Sequence, residues 1–528
     1  MLSGTKIKRV LGELPLTAEI DWALRGHGLP VDGFNLEELK SALPGWCQQL
    51  RNSAKPADLG KKVLVFATLH YWINHATLLS LALTGLGNRV TLAYLPYPNW
   101  KKPASKFDLR RREAYARSVF KPAEDLIQIH SFASHEDIPL PPVLEENIHR
   151  VSVMDTQYTL QVEDIDEGSE LFQLRLERNR VASAAALTWM QNEQPEVVIL
   201  PNGLILEFGA VFQTASHLKI PVVSYEFGEQ RDRIWLSHNS PVMLQETEAF
   251  WEQKKEEPFG DQERQKVKDL FATRQAAGLF ENFYRRWQNQ PALGGSYARQ
   301  KLGLDERPVV LLAANVIGDS LTLGRATFTG DMSTWLKRTL HFFADRTDVQ
   351  LVLRVHPGER NLDGPSVADL VTSELPHLPS NIHVVRAEED INTYDLIEIA
   401  NLGLVYTTTV GLEMAMSGLP VTVAGKTHYR GKGFTIDPQT WDEYFDRLKT
   451  ILNESVKALL SKEQVDAAWQ YAYRFFFDYP QPFPWHLLHF WNDIEAVPLS
   501  EILSGESRNL YSHTFDYLLG EPFDWNVE

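Results

Sequence analysis

The sequence predicts an α/β protein built from two doubly wound, Rossmann-like domains, and three observations support this prediction. Its predicted strands are continuous apolar runs rather than alternating ones, which is typical of parallel strands buried on both faces. These strands alternate with helical patterns, as in right-handed strand–helix–strand units. The chain has 528 residues, too many for one hydrophobic core, so more than one domain is expected.

A first Rossmann-like domain is predicted over residues 59–244. It follows a helical N-terminal extension, 1–58, which ends in the polar stretch NSAKPADLGKK. The pattern HATLLSLALTGLGNRV between its first two strands predicts a helix. The predicted strands of this domain cover residues 62–68, 90–95, 125–132, 196–203 and 220–227.

The second half of the chain begins with a charged segment, 245–300, which predicts a helical connector interrupted near Pro258 and Gly260. A second Rossmann-like domain is predicted over 301–480. The tail, 481–528, contains YPQPFPWHLLHFWNDI, and its apolar content predicts packing on the body of the protein. The predicted strands of the second domain cover residues 307–316, 349–357, 381–387, 402–408 and 419–425.

Composition and charge favour a soluble globular protein and argue against a nucleic-acid binder. Hydrophobic residues make up 44% of the chain and charged residues 23%. The formal net charge is −17, so phosphate backbones and anionic membranes are repelled at long range. A pocket can still hold a phosphate locally. The 14 Trp and 26 Phe suggest extensive aromatic packing or a cleft that binds sugars or other rings.

Cysteine usage and hydropathy predict a cytoplasmic protein with no transmembrane segment. Cys47 is the single cysteine, so no disulfide can form within the chain, as is usual in a reducing compartment. The N-terminal stretch MLSGTKIKRVLGELPL lacks the apolar region of a signal peptide. The most apolar run, ATLLSLALTGLG, is too short to span a bilayer. Peripheral membrane contact remains compatible with the sequence.

Several motifs of other enzyme classes are missing from the sequence. There is no Walker A sequence, no G-x-G-x-x-G after the first strand, no G-x-S-x-G and no H-E-x-x-H. An Asp-x-Asp occurs within EDIDEG, 163–168, in a charged stretch that reads as a loop. The poor dinucleotide fingerprint after the first strand argues against an NAD enzyme, and we expect no bound cofactor.

Polar residues follow the predicted strands of the second domain. Parallel strands place their carboxyl ends at one edge of a sheet, and ligands of such folds bind there. Two tandem domains of this kind are expected to face a shared cleft. The residues at these ends are Asn315 after the first strand, Arg354 and His356 at the second, Thr407, Thr408, Thr409, Gly411 and Glu413 after the fourth, and Lys426 after the fifth.

Each of these groups has a structural interpretation beside a functional one. An isolated His356 would more often satisfy a loop carbonyl, but Arg354 beside it makes a plausible phosphate clamp. The threonines could simply cap the helix that begins at GLEMAMSG, or their hydroxyls and its first amides could bind an anion. Lys426 belongs either to a solvated basic loop or to a phosphate-facing edge.

The stretch LRVHPGE, 353–359, and the later stretch LVYTTTVGLEMAMSGLPVTVAGKTHYRGKG, 404–433, resemble the capsule polysaccharide biosynthesis family of glycosyltransferases, which includes bacterial Kdo transferases. More distantly, they are similar to glycerophosphotransferases and bacterial sialyltransferases. The resemblance implies two Rossmann-like domains in the GT-B arrangement. It also implies a nucleotide-sugar donor, a glycan or lipid-linked glycan acceptor, and no requirement for a metal.

The family resemblance also implies roles for single residues. His356 and the threonine run Thr407–Thr409 would bind the phosphate and ribose of the donor, together with Glu413. The family often has serine where this chain has threonine, and the hydroxyl is retained. No motif specific to Kdo transfer is present, so the sugar is left open.

The first domain is expected to supply the acceptor site and a general base. His70 follows the first strand and could deprotonate an acceptor hydroxyl. The structural alternative for this stretch is that His75 caps the helix and Trp72 packs in the core. Glu226 is a second candidate base, with pairing to Arg231 or Arg233 as its structural alternative. The remaining acceptor-side candidates are Trp72, His75, Asn202 and Glu207.

Two other functions are compatible with the same sequence features. A sugar-nucleotide epimerase or a glycerophosphotransferase would keep the fold and change the chemistry. A catalytically inactive GT-B scaffold in a polysaccharide assembly complex would keep the fold without chemistry. The retained His-Pro pair and threonine run count against the scaffold.

Overall fold

The apolar runs of the first half of the chain form a seven-stranded sheet in the computed structural model. The strands lie in the order β3-β2-β1-β4-β5-β6-β12, with β1 to β5 parallel and β6 and β12 antiparallel to their neighbours. Their bounds are β1 Lys62–Thr68, β2 Arg89–Leu95, β3 Gln128–Ser131, β4 Val197–Pro201, β5 Val222–Glu226, β6 Arg233–His238 and β12 Gln481–Pro482.

The structure describes most of the chain. The described residues are 4–26, 30–53, 60–133, 138–278, 288, 290–361, 364–453, 459–504 and 507–525.

The second half of the chain forms a five-stranded sheet that is parallel throughout. Its order is β9-β8-β7-β10-β11. In both sheets the first strand of the unit lies between the second and the fourth, which is the order typical of Rossmann folds. The predicted fold class, α/β with two Rossmann-like sheets, is therefore confirmed. The bounds are β7 Val309–Ala313, β8 Gln350–Arg354, β9 Ile382–Val385, β10 Leu402–Val405 and β11 Val421–Val423.

Helices follow almost every strand. The helices up to the end of the first sheet are α1 Gly4–Glu13, α2 Thr17–Gly26, α3 Glu37–Asn52, α4 His70–Gly85, α5 Lys106–Phe120, α6 Pro142–Leu160, α7 Glu170–Glu193 and α8 Leu206–His217. The later helices are α9 Glu248–Lys254, α10 Asp261–Gln275, α11 Gly295–Leu302, α12 Met332–Ala344, α13 Val367–Glu374, α14 Thr393–Ile399, α15 Val410–Met416, α16 Trp441–Leu452, α17 Lys462–Tyr473, α18 Phe490–Ala496, α19 Leu499–Ser504 and α20 Ser507–Leu518.

The chain divides into two compact units, and each unit is assembled from three separate segments of the sequence. Unit 1 contains residues 1–155, 166–243 and 481–524. Unit 2 contains residues 156–165, 244–480 and 525–528. The segment predicted as an N-terminal extension and most of the predicted tail thus lie in unit 1. The segment predicted as a connector lies in unit 2, where α9 ends before Pro258 and α10 begins after Gly260.

The core of unit 2 explains why its strands read as continuous apolar runs. One face of the sheet, with Leu351, Leu353 and Val355 of the β8 region, packs against α12, whose Trp335 is fully buried. Arg354 alternates with these residues and therefore lies on the other face. A charged side chain thus follows the apolar residues 351–353, at the edge where the strand ends.

Helix α12 begins with three backbone amides that are all satisfied by carboxylates. Asp331 accepts from Thr334 N at 2.6 Å, and Glu163 accepts from Met332 N at 2.9 Å and Ser333 N at 2.8 Å. Glu163 belongs to the EDIDEG stretch. The first acidic residue of that stretch therefore has a structural role as a distant helix cap.

Candidate functional site

Each sheet has a switch point, where successive connections leave in opposite directions, and ligands of Rossmann folds bind at the carboxyl ends of those strands. The switch lies between β1 and β4 in unit 1 and between β7 and β10 in unit 2. In unit 2 the register aligns Val405 with Ala313, and Ala313 with Arg354. The strand ends that carry the predicted donor residues therefore stop at the same level.

Asn315 and Thr407 are brought together at the switch point of unit 2. The Asn315 side-chain oxygen accepts a hydrogen bond from Thr407 N at 3.1 Å. The Thr407 hydroxyl donates to Leu321 O at 2.8 Å, so it is already engaged within the loop. These contacts tie the loop after β7 to the end of β10. Thr407 therefore shapes this edge, and its predicted contact with a donor remains a prediction.

Arg354 ends β8 and is 1% exposed. Its Nη1 donates to Arg386 O at 2.5 Å. Its Nε and Nη2 are buried and have no hydrogen-bond partner among the residues that the structure describes. Burial lowers the pKa of this guanidinium to about 10, so it stays protonated at neutral pH. Two unsatisfied donors on a buried cation are costly, and a water or an anion would supply the missing acceptors.

His356 lies two residues beyond Arg354, in the loop after the strand. Its Nδ1 accepts a hydrogen bond from Gly358 N at 3.1 Å. Burial, with the neighbouring Arg354 and Arg360, lowers its pKa to about 4. The ring is therefore neutral at physiological pH and must carry its proton on Nε2. A neutral histidine of this tautomer can donate a hydrogen bond without changing its charge.

The threonine run leads into the short helix α15. The Thr408 carbonyl accepts from the Tyr429 hydroxyl at 2.5 Å, and Tyr429 is fully buried. A side chain at Gly411 would collide with that same hydroxyl, which explains the glycine. The first turn of α15 is closed by bonds from Gly411 N to Thr408 O and from Leu412 N to Thr409 O. The backbone of the run is thus rigidly held.

Glu413 has a partner that the sequence did not indicate. Its Oε1 accepts from Arg274 Nη1 at 2.8 Å, and both side chains are largely buried. Arg274 belongs to α10, within the segment predicted as a connector. The ion pair anchors α10 to α15, so the predicted contact of Glu413 with a ribose remains a prediction beside this structural role.

The loop after β11 is tied to a residue that sequence reasoning missed. Arg325 is buried and donates through Nη1 to Lys426 O at 3.1 Å, while Lys426 N donates to Arg325 O at 2.7 Å. The Lys426 ammonium lies on the surface, 3.6 Å from a Glu246 carboxylate oxygen. Nothing in TLGRATFTG marks Arg325 as buried, because its burial depends on a loop about a hundred residues away.

In unit 1, His70 is the first residue of α4, directly after β1. The preceding Leu69 has φ +64°, a strained conformation for a leucine, and α4 begins without a side-chain cap. His70 Nδ1 is buried, and no described residue hydrogen-bonds to it. Burial lowers the pKa of His70 below its usual 6.5. His70 is therefore neutral at physiological pH, as a general base must be.

Trp72 and His75 are core residues of unit 1. Trp72 packs against Phe227 and Tyr225 with ring centroids 6.1 and 5.7 Å apart. His75 contacts the Tyr225 hydroxyl at 3.3 Å and Trp485 O at 3.2 Å, and burial lowers its pKa to about 3. Both residues therefore have a structural role in the core, although His75 lies within α4 and does not cap it. Their assignment to the acceptor side remains a prediction without support from the geometry.

Asn202 and Glu226 lie together at the carboxyl ends of β4 and β5. Asn202 has φ +61°, and its side-chain oxygen accepts from Leu204 N at 3.0 Å. Glu226 accepts from Phe227 N at 3.1 Å, and burial raises its pKa to about 7 although a bond from Asn202 opposes the shift. Arg231 instead pairs with Asp493, with Nη2 and Oδ1 3.1 Å apart. Glu226 is therefore available in both protonation states near neutral pH.

Glu207 lies in a buried network of three charged side chains. Arg175 donates from Nε to Asp155 at 2.6 Å and from Nη2 to Glu207 at 2.9 Å, and all three side chains are buried. Burial raises the pKa of Asp155, and the two carboxylates raise the pKa of Arg175 against the effect of burial. Glu207 thus already has a buried partner, which favours a structural role over the predicted contact with an acceptor.

The described part of the chain has neither a metal centre nor a membrane-spanning helix. No group of three or more His, Cys, Asp or Glu among these residues is arranged to hold a metal ion. None of the helices within the described ranges is long and apolar enough to cross a bilayer. The predicted independence from a metal and the predicted location remain predictions.

Comparison with known proteins identifies a matching family for the second half of the chain. Residues 285–468 match the model of a family described as capsule polysaccharide biosynthesis protein. This segment contains Arg354, His356 and the threonine run, and it covers less than half of the chain. No curated protein matches the sequence.

Solved structures with a similar chain trace include two transferases from one bacterium and an epimerase. Thermosulfurimonas dismutans KpsC, a β-Kdo 2,4 transferase, is 16% identical, with a TM-score of 0.36 over 55% of this chain and 83% of that chain. KpsC β-Kdo 2,7 transferase from the same organism is 14% identical, with a TM-score of 0.30 over 54% and 79%. A putative UDP-N-acetylglucosamine 2-epimerase from Listeria monocytogenes is 12% identical, with a TM-score of 0.26 over 78% and 91%. The match to the family model shows that residues 285–468 resemble the capsule polysaccharide biosynthesis family, as the sequence motifs predict.

Proposed function

We propose that the protein is a glycosyltransferase that takes a sugar from a nucleotide-activated donor and transfers it to a glycan acceptor. The observation that carries the proposal is the Arg354 guanidinium, which is buried at a strand end beside neutral His356 and keeps two N–H groups unsatisfied. This pair lies within the segment that matches the capsule polysaccharide biosynthesis family. A nucleoside phosphate is the anion that such a segment would hold.

The proposed donor site uses two kinds of group. Arg354 supplies a permanent positive charge and two donors, which suits a phosphate oxygen pair. His356 supplies a neutral N–H on the same loop. As the bond between the sugar and the phosphate breaks, negative charge grows on the leaving phosphate, and fixed donors in a dry site stabilise that charge strongly. The proposal assigns this role to protein groups alone, without a metal.

The proposed acceptor side lies in unit 1, at the end of β1. His70 would accept the proton of the acceptor hydroxyl as that oxygen attacks the donor sugar. It is preferred over Glu226 because the Glu226 carboxylate is already bonded to Phe227 N and to Asn202. The strained backbone at Leu69 holds His70 at the start of α4. His70, Tyr71 and the first turn of α4 are thus the proposed surroundings of the reacting hydroxyl.

Nucleotide binding provides the direct test of this proposal. A panel of CMP-, UDP-, GDP- and dTDP-linked sugars would be screened by thermal shift, with a Kdo donor included because the resembled family contains Kdo transferases. A ligand at 100 times its Kd stabilises the folded state by about 2.7 kcal/mol, so a rise of several degrees in Tm is expected for one nucleotide class.

The matched variants for this screen are two histidine replacements. His356→Ala is expected to abolish the nucleotide-dependent rise in Tm, since it removes a proposed phosphate donor. His377→Ala, at an exposed position of the same unit, is expected to leave the rise intact. If no nucleotide sugar stabilises the wild-type protein, the proposed function is wrong.

The pH dependence of catalysis separates the two candidate bases. With His70 as base, kcat/KM is expected to fall as the pH drops through a value below 6.5, because protonated His70 cannot accept a proton. Glu226→Gln is expected to keep this acid limb, whereas His70→Asn is expected to remove most of the activity. A limb centred near pH 7 that disappears in Glu226→Gln would instead assign the base to Glu226.

A further inference from the structure

A small pocket lies in unit 1 beside the proposed base. It has a volume of about 170 Å³ and lies between the first turn of α4 and the segment just before and within α18. Its lining includes Tyr71 and Asn74 on α4, and Leu488 and Trp491 on the later segment. Pockets for whole drug-sized ligands have volumes of about 300–1,000 Å³. The pocket is thus too small for a nucleotide sugar and of a size for a single ring.

Two polar atoms on α4 have no partner at this place. Asn74 is 5% exposed, and its side-chain Oδ1 receives no hydrogen bond from any described residue. The Nδ1 atom of His70, one helical turn earlier, is also buried and forms no hydrogen bond with any described residue. Residues four positions apart lie on one face of a helix, so both atoms belong to the same side of α4. Buried polar groups are nearly always satisfied, and an exception is explained by strain, an ordered water or a bound ligand.

The other wall of the pocket is largely aromatic and apolar, with His489 and Asn492 as its polar members. Trp491 stacks on Trp46 of α3 with ring centroids 5.9 Å apart and planes at 20°, so its ring is held in place. At the rim, Tyr71 is 38% exposed and Leu488 is 46% exposed. Fixed aromatic faces attract the weakly positive C–H groups of a sugar ring, and the polar tip of a tyrosine bonds its hydroxyls.

The charge of the side chains that line the pocket limits the kinds of ligand that it can bind. Among the lining residues that the structure describes there is no Asp, Glu, Lys or Arg. His70 nearby is neutral, and Glu38 on α3 adds negative potential around it. A phosphate or a carboxylate would therefore find no Lys or Arg here, and His489 is the one imidazole among these lining residues. A neutral, polyhydroxylated ring matches the combination of amide, hydroxyl and aromatic groups.

We propose that this pocket binds one neutral pyranose ring of the acceptor, with the Asn74 amide bonded to a ring hydroxyl and Trp491 against a ring face. The proposal rests on the proposed function and deepens it, because it assigns the acceptor as a neutral sugar unit. A ring seated here places its neighbouring hydroxyl toward His70, one turn of α4 away from Asn74.

The test measures sugar binding in the absence of nucleotide. Saturation-transfer NMR and Trp fluorescence would be recorded for the full chain with methyl glycosides of the common neutral hexoses, 6-deoxyhexoses and N-acetylhexosamines. At least one glycoside is expected to bind. Asn74→Leu, a replacement of similar volume, is expected to weaken this binding at least tenfold while Tm stays unchanged or rises, because an unsatisfied amide is removed.

A second pair of variants changes exposed positions, so that the test does not depend only on replacing the buried Asn74. Leu488→Trp fills the pocket from its exposed rim and is expected to block glycoside binding. Leu510→Trp is the matched control, since Leu510 is 60% exposed on α20 and does not line the pocket. It is expected to bind the glycoside as the wild-type protein does.

The outcomes separate this proposal from the proposed function. If a nucleotide sugar raises Tm but no glycoside binds, or if Asn74→Leu and Leu488→Trp both bind as the wild-type protein does, the pocket proposal is overturned and the transferase proposal stands. If a glycoside binds and both variants lose it while no nucleotide sugar binds, the pocket is supported as a sugar site and the transferase proposal fails.

Discussion

Replacing Arg354 with methionine is expected to lower kcat/KM for the donor on the order of 10²–10³-fold, because removal of one partner of a buried, hydrogen-bonded charge pair costs about 2–5 kcal/mol. The same change is expected to leave the fold at least as stable. The wild-type side chain is buried with two unsatisfied N–H groups, each of which costs about 1–3 kcal/mol, against the single bond it makes to Arg386 O. Lower activity with equal or higher stability would mark a residue kept for binding.

The measurement combines steady-state kinetics with urea unfolding of the nucleotide-free protein. Arg346→Met is the matched control. Arg346 lies before β8, at the opposite end of the same strand, and pairs with the exposed Asp348 at 2.7 Å. Its loss is expected to change the unfolding free energy by no more than about 1 kcal/mol and to leave kcat/KM unchanged. An Arg354→Met protein that unfolds far more easily and retains donor affinity would show that Arg354 serves the fold alone.

Replacing Arg175 with methionine is expected to destabilise unit 1 by about 3–5 kcal/mol, the largest stability change of any substitution considered. The change would leave Asp155 and Glu207 buried without the guanidinium that bonds both of them. Two carboxylates would then face each other in the interior, and one of them would have to take up a proton. Urea unfolding followed by Trp fluorescence would measure the loss, and the transition of unit 1 would be the one that moves to lower urea.

Two further variants make this experiment specific. Glu207→Gln keeps a hydrogen-bond acceptor for Arg175 and leaves one carboxylate to pair with the one guanidinium. The free energy of unfolding is therefore expected to fall by about 1 kcal/mol or less, and the kinetics with the acceptor are expected to stay at the wild-type level. Arg150→Met breaks the exposed pair with Glu146 and is expected to change stability by about 0.5 kcal/mol at most. If Glu207→Gln instead showed a large increase in the KM for the acceptor, Glu207 would be assigned to the acceptor site.

The strands of both sheets could be predicted because a buried parallel strand leaves a strong signal. KVLVFAT and VVLLA, for example, are apolar without interruption and coincide with β1 and β7. The missed strands carry no such signal. In β6, buried Ile234 and Leu236 alternate with partly exposed residues, one of which is Trp235, and β12 has only two residues, one of which is Pro482. Both are antiparallel and depend on a neighbour that the local sequence does not contain.

The candidate site was predictable to the extent that it follows from topology. Asn315, Arg354 and Thr407 end parallel strands, so their common edge follows from the strand pattern alone. The partners of the buried charged residues do not follow from the strand pattern. Arg175 stands in the stretch LRLERNRVAS, whose charged residues give no sign of burial, and the pairing of Glu413 with Arg274 joins positions 139 residues apart. Burial of a charge is decided by distant segments, which short-range patterns cannot reveal.

The return of residues 481–524 to unit 1 has a consequence for how the protein is made. A ribosome that has completed β6 must add roughly 240 further residues before β12 emerges, which takes about 10–50 s at about 5–20 residues per second. During that time the outer edge of β6 has no strand beside it, and the buried ring of His75 lacks Phe483, Trp485 and Phe490. Nascent unit 1 therefore exposes a strand edge and an aromatic cluster until unit 2 has been synthesised. Chaperone capture of ribosome-bound chains should be strongest in that interval.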